Sequence, residues 1–231
     1  MRPLELSKAS RRAFEALAAD LRRIFGDRLV ALVAHGPATS LAFVTTIGAD
    51  DLDACAVLVM PWHREGLEPP LILTPDEFRR SLDTFPLEYA AILDEHAIIV
   101  GHDPFAGVTI HDEDIRRACE VQARGLLIHL RQGWLDAAGH ADDLAALIGR
   151  SAAPLRHLLI HVAHLEDARV DSLNEIVAFA SGRLGLPGDL VNAVLSLETA
   201  HDGARQLVRR LPEYLAAAEH LWTFVDAWRA R

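Results

Sequence analysis

The sequence predicts an α+β fold: a mixed sheet with flanking helices over residues 1–110, followed by an all-α helical bundle over residues 111–231. Three observations lead there. Up to about residue 110, short apolar runs of strand length alternate with amphipathic stretches of helical period. From His111 onward the period is helical and stays so. Hydrophobic residues make up 51% of the 231, enough for two cores of ordinary size and too many for a disordered chain.

The elements follow in order. Ser7 is placed to cap a first helix whose stripe Phe14, Leu17, Leu21 and Ile24 has helical spacing, and Gly26 ends it. Residues 29–34 form a continuous apolar run, closed by His35-Gly36-Pro37, which predicts a buried strand entering a tight turn. Residues 41–47 have strand composition and should pair beside it. Residues 49–62 admit two readings. The preferred one is a helix with Asp50, Asp51 and Asp53 at its positive N-terminal end and Pro61 at its very end. The alternative makes residues 54–59 a buried strand. Leu71-Ile72-Leu73 reads as a short strand, and Thr74-Pro75-Asp76-Glu77 is a capping box that opens a helix to about Leu82. Residues 85–92 and 97–100 read as two further strands, and Gly101-His102-Asp103-Pro104 as a turn. In the second half, breaks are expected at Gly139, at residues 149–154, near residues 169–172, at residues 182–188, at Gly203 and at Pro212, leaving about six helices. Ser172 with Glu175 makes a second capping box.

Composition excludes several function classes. No run approaches the roughly 18 apolar residues of a membrane helix, and the first eight residues mix charges where a signal peptide would be apolar. A cytoplasmic protein with no membrane partner is expected. Cys55 and Cys119 lack Cys-x-x-Cys spacing and read as reduced core residues. A formal net charge of −10 does not suit a phosphate backbone, so nucleic acid is not an expected partner. The recurring arginine pairs, such as Arg79-Arg80, lie beside helical periodicity and read as solvated helix faces.

The run Arg23-Ile24-Phe25-Gly26-Asp27-Arg28-Leu29-Val30-Ala31-Leu32-Val33-Ala34-His35-Gly36 resembles the approach to the Gly-Ser loop of the nucleotidyltransferase superfamily, which includes aminoglycoside nucleotidyltransferases and their minimal relatives. A second set, Pro70-Leu71-Ile72-Leu73-Thr74, Ser81-Leu82-Asp83-Thr84-Phe85-Pro86-Leu87-Glu88-Tyr89 and Gly101-His102-Asp103-Pro104, with the stretch from Arg116-Arg117 to Leu130-Arg131, is similar to bacterial proteins that join such a domain to a helical tail. The resemblance spans roughly residues 20–135. It implies a fold in which a Gly-Ser turn holds nucleotide phosphates, while an Asp-x-Asp pair and a third carboxylate on neighbouring strands hold two divalent ions that neutralise the attacking and leaving oxygens.

This sequence departs from that pattern. Pro37 stands where the serine should be, bringing neither hydroxyl nor N–H, with Thr39 and Ser40 as partial substitutes. Residues 41–47 contain no acid, so the resemblance implies a catalytically degenerate nucleotidyltransferase-fold protein that keeps a nucleotide or small-molecule pocket beside Gly36, Thr39 and Ser40, or that binds a protein partner or a second copy of itself. The alternative strand reading makes Asp51 and Asp53 the metal-binding pair and Glu88 the third carboxylate. An active enzyme needing Mg2+ and a nucleoside triphosphate would then follow. Gly36 read plainly is a turn glycine, and Glu88 an outward or arginine-paired residue.

Two further patterns lie in the helical half. His157, His161 and His164 fall on one helix face at i, i+4 and i+7, a zinc-chelating spacing, though a polar seam between helices explains them as well. Arg156 to His161, and equally Arg124 to His129, fit the Arg-x4-His pattern of the HEPN ribonucleases, helical proteins often encoded beside minimal nucleotidyltransferases. That leaves a toxin–antitoxin-like interaction protein or a HEPN-type ribonuclease as the third alternative. Trp222, Phe224, Val225 and Trp228 read as the packing face of a terminal helix or a dimer contact.

Overall fold

Ser7 Oγ accepts the Ser10 amide at 3.0 Å and starts helix α1 (Lys8–Phe25), which Gly26 ends in a left-handed-side conformation with φ 55°. The computed structural model describes residues 2–199 and 203–229 and is α+β. The chain divides into two compact units, Met1–Ile110 and His111–Arg231.

In the first unit the sheet runs in the order β1-β5-β2-β3-β4. Strands β2 (Leu29–Ala34) and β3 (Ser40–Val44) are antiparallel neighbours, and Ala34 faces Ser40 across the turn that joins them. β4 (Leu71–Leu73) lies parallel to β3, and β5 (Glu95–Gly101) antiparallel to β2. The two-residue β1 (Arg2–Pro3), too short to leave a sequence signal, pairs with the outer edge of β5. Side chains alternate across the sheet with the period of two that a strand imposes. Leu32, Ala34, Ala42 and Val44 join Phe14, Leu17, Leu21 and Trp62 on one face. Ala31, Val33, Leu41 and Phe43 join Phe78, Tyr89 and Phe105 on the other. There Phe78 meets Phe43 edge to face at 5.4 Å and Tyr89 at 4.7 Å. Both faces of β2 and β3 are therefore covered, which is why these strands read as continuous apolar runs.

The segment 49–62 is helical, as the preferred reading has it, but in two pieces, α2 (Ala49–Ala56) and α3 (Val59–Arg64). Pro61 does not end a helix; it sits in the first turn of α3, where no intrahelical N–H is needed. The capping box is realised at α4 (Pro75–Arg80), with Thr74 Oγ1 accepting the Glu77 amide at 3.2 Å. Residues 85–92, expected as a strand, are instead helix α5 (Pro86–Asp94). Pro86 at the first helical position and the buried spacing Pro86, Tyr89, Ile92 are helical features, and a strand there would need a ladder donor that proline lacks.

The described residues of the second unit form helices and their connections, with no strand among them: α6 (Asp112–Asp136), α7 (Ala141–Leu165), α8 (Leu173–Gly182), α9 (Gly188–Leu195), α10 (Ala204–Leu207) and α11 (Leu211–Ala227). The Ser172–Glu175 capping box starts α8. Helix α6 packs against both α7 and α11. The break expected at residues 149–154 is absent, and α7 runs unbroken through Gly149 and Pro154. Its buried stripe Leu144, Leu147, Ile148, Ala152, Leu155, Leu158, Leu159 and Val162 outweighs propensity penalties of about 1 kcal/mol for glycine and about 3 for proline. Val225 is fully buried, Trp228 Nε1 donates to Glu166 at 2.8 Å, and Arg124 stacks on Trp222 at 5.0 Å, so this end of α11 and its cap serve internal packing.

Candidate functional site

The β2–β3 turn carries Gly36, Thr39 and Ser40. The His35 amide donates to the Thr39 carbonyl at 3.1 Å, and Glu68 N–H to the Ala38 carbonyl at 2.9 Å. A Cβ on Gly36 would lie 2.5 Å from Thr39 Oγ1, which itself stands 3.4 Å from His35 Nδ1. Any larger residue at 36 would have to turn the Thr39 hydroxyl aside, so the space the glycine leaves is taken by a side chain of the same turn. Burial pushes the His35 imidazole down from its ordinary value, against the opposing charge of Glu68. Ser40 Oγ is buried without a hydrogen-bond partner among the described residues.

Asp51 lies in the first turn of α2. Both its oxygens are held by Arg28, Nη2 to Oδ1 and Nη1 to Oδ2 each at 2.8 Å, and Oδ2 also accepts the Gly48 amide at 3.0 Å. The Arg28 fork foremost, with the Gly48 amide, holds its carboxyl below the usual range against the effect of burial. Arg28 itself stands over the Phe25 ring at 5.3 Å, so the pair ties the end of α1 to the start of α2. Asp53 is exposed one turn position on, and Glu88 is exposed in the first turn of α5, not on a strand. Strands β2, β3 and β4 contain no carboxylate. Among the described residues no group of three or more His, Cys, Asp or Glu side chains is placed to hold a metal ion.

His157, His161 and His164 share a face of α7 as their spacing requires. His157 and His164 are exposed, while His161 is partly buried with Nδ1 3.3 Å from Gln122 Oε1 of α6. Burial first, then the neighbouring His157 and His164, push its pKa down to about 4, which leaves a neutral ring bridging two helices. Of the two Arg-x4-His matches, Arg156 is paired with Glu198 and Arg124 is stacked on Trp222.

The structure also brings together residues that sequence reading had not joined, His129 and His157 among them. Between α6 and α7 runs a groove of about 650 Å3, floored by Gly125, Leu126, Leu130 and Leu147 and edged by Gln122, His129, Gln132, Asp136, Arg150 and His157. A Cβ on Gly133 would press on Leu147 at 2.4 Å, so the helices touch there, whereas a Cβ on Gly125 would meet nothing within 4 Å. Pro154 also lines the groove and has no N–H for the Arg150 carbonyl four residues back. On α6 Val121, Ile128 and Leu135 stand exposed at seven-residue spacing. The one sequence signal for the groove was a glycine in the middle of a helix with no turn to make.

Among the described residues no helix is long and apolar enough to cross a membrane. Compared with protein-family models, curated proteins and solved structures, the chain matches none.

Proposed function

We propose that this chain is a nucleotidyltransferase-like protein without nucleotidyl-transfer chemistry, and that it works by binding. The observation that carries the reading is the donor set of the sheet: β2, β3 and β4 present only apolar residues and Ser40. Two divalent ions need several carboxylate oxygens converging on one point. Asp51, the best-placed acid for that part, has both oxygens committed to Arg28 and Gly48. Asp53 and Glu88 stand exposed on separate helices. The Gly36 turn is held together by its own Thr39 and His35, which supports a structural part for it.

The test is transfer of a nucleoside monophosphate from labelled ATP, GTP, CTP or UTP in the presence of magnesium or manganese. No product above the protein-free control is expected with any of them. Turnover that disappears in Asp51→Asn or Asp53→Asn would overturn the reading in favour of the active enzyme.

A further inference from the structure

We propose that the α6–α7 groove is a binding site for a small organic anion, an apolar body carrying a carboxylate, phosphate or sulfonate. The inference is independent of the reading of the first unit. At about 650 Å3 the groove has the size of an ordinary ligand pocket. From Gln122 to Asp136 it extends about 21 Å along α6 at the helical rise, so an elongated or planar molecule fits it better than a compact one.

Charge decides the ligand's sign. In an acidic chain the arginines of this unit are largely consumed: Arg116, Arg117, Arg131, Arg156, Arg183 and Arg210 each hold a carboxylate. Arg150, on the groove, holds none among the described residues. His129 and His157 also line it and make no hydrogen bond among those residues. The single lining carboxylate, Asp136, lies nearer the α6–α7 turn and accepts the Gln132 amide at 3.1 Å. A planar guanidinium with an open fork, on a groove that two imidazoles also line, is matched by a carboxylate or phosphate oxygen pair. Leu126, Leu130 and Leu147 supply the apolar wall. A neighbouring face of α7 offers a wider depression of about 930 Å3 that Arg150 also borders, but it is walled by Ala145, Gly149 and Ala153 and its other charges are already paired, Arg205 with Asp142 and Glu198 with Arg156. Apart from the shared Arg150, no side chain that lines it is an unpaired charge or a histidine.

Two dyes test the site on the full chain: 8-anilinonaphthalene-1-sulfonate, an apolar ring system with an anionic head, and N-phenyl-1-naphthylamine, the same rings without the charge. The sulfonate dye should bind saturably with a rise in fluorescence. Arg150→Gln should weaken it about tenfold or more, the usual scale for losing a charge-assisted hydrogen bond, and leave the neutral dye within about twofold. Gly125→Phe, whose ring enters the open space beside α6, should abolish binding of both dyes. Far-UV circular dichroism and the melting temperature verify that each variant is folded, and Gly125→Ala serves as a second groove variant with a smaller filling effect. Failure of the sulfonate dye to saturate, indifference to Arg150→Gln or to Gly125→Phe in a folded protein, or an equal loss of both dyes on Arg150→Gln overturns the proposal.

Discussion

Replacing His161 by Gln should remove a proton-linked weakness of the helical unit below neutral pH. The folded protein holds this ring neutral, with its pKa pushed down to about 4, because it is partly buried and flanked by His157 and His164. The unfolded chain binds the same proton near the ordinary value of about 6.5. Since the unfolded state takes up the proton first, His161 contributes no destabilisation well above that value, and stability falls as pH drops from about 6.5 toward 4. With these two values the loss amounts to about 2 kcal/mol at about pH 5 and almost nothing at about pH 7.5. That is a large share of a total on the order of 5–15 kcal/mol. Urea titrations at the two pH values, read by tryptophan fluorescence, report on this unit because Trp134, Trp222 and Trp228 lie in it and only Trp62 does not. The wild type should lose about 2 kcal/mol more than His161→Gln between them. Carboxylates titrate alike in both proteins, so the difference isolates the imidazole. Equal losses would mean that the ring protonates in the folded state as it does in water, and would refute the assignment of a buried neutral histidine.

Gly101→Ala should cost about 3 kcal/mol or more, because φ is +88° and the new Cβ would lie 2.0 Å from the Val30 carbonyl oxygen where β5 crosses β2; thermal melting with no such loss would show that the β5–β2 pairing relaxes freely. Phe78→Ala should cost about 3–5 kcal/mol, since its ring is 1% exposed and packs on Phe43, Tyr89 and Phe105; chemical denaturation measures it, and a loss below about 1 kcal/mol would sink the packing argument. Gly125→Ala should stabilise the helical unit by about 0.5–1 kcal/mol, because α6 is helical there and the added methyl meets nothing; a fall in melting temperature would contradict the open space beside it.

Local chemistry was legible wherever a few adjacent residues decide the outcome. Ser7, Thr74 with Glu77, and Ser172 with Glu175 each announce a helix start because the capping group and its amide are three residues apart. The apolar runs of β2 and β3 announce buried strands because both faces are covered. Misreadings arose where packing overrides propensity. A short, mostly apolar segment such as residues 85–92 carries no unique period, and at α5 the proline at the first position outweighs strand-like composition. Gly149 and Pro154 look like a break, yet one long buried stripe holds α7 straight through them. Asp51 and Asp53 have the form of a metal pair, but Arg28, 23 residues earlier in the sequence, claims Asp51. The groove was illegible for a related reason. Its two walls, around residues 122–136 and 147–157, each look like an ordinary amphipathic helix, and only the antiparallel pairing of α6 with α7 sets Arg150 and His129 along one opening.

The two units treat their polar groups differently, and that contrast is why the proposed site is placed in the second. In the first unit the side chains nearest the sheet are satisfied locally: Asp51 by Arg28 and Gly48, Trp62 Nε1 by Asp20 at 2.9 Å, the space above Gly36 by Thr39. Among the described residues of that unit the one buried side-chain polar atom without a partner is Ser40 Oγ, enclosed within the sheet. The second unit accepts a glycine and a proline inside long helices beside one groove, at propensity costs of about 1 and about 3 kcal/mol. It leaves Arg150 without a carboxylate in a chain of net charge −10. Gly133 has a packing reason in Leu147, but a Cβ on Gly125 would meet nothing within 4 Å. A residue that weakens its own helix and fills no contact is explained if the space beside it is meant to be occupied. Stabilisation by Gly125→Ala together with weaker dye binding would therefore be one result with one cause, whereas stabilisation with unchanged binding would separate the glycine from the site.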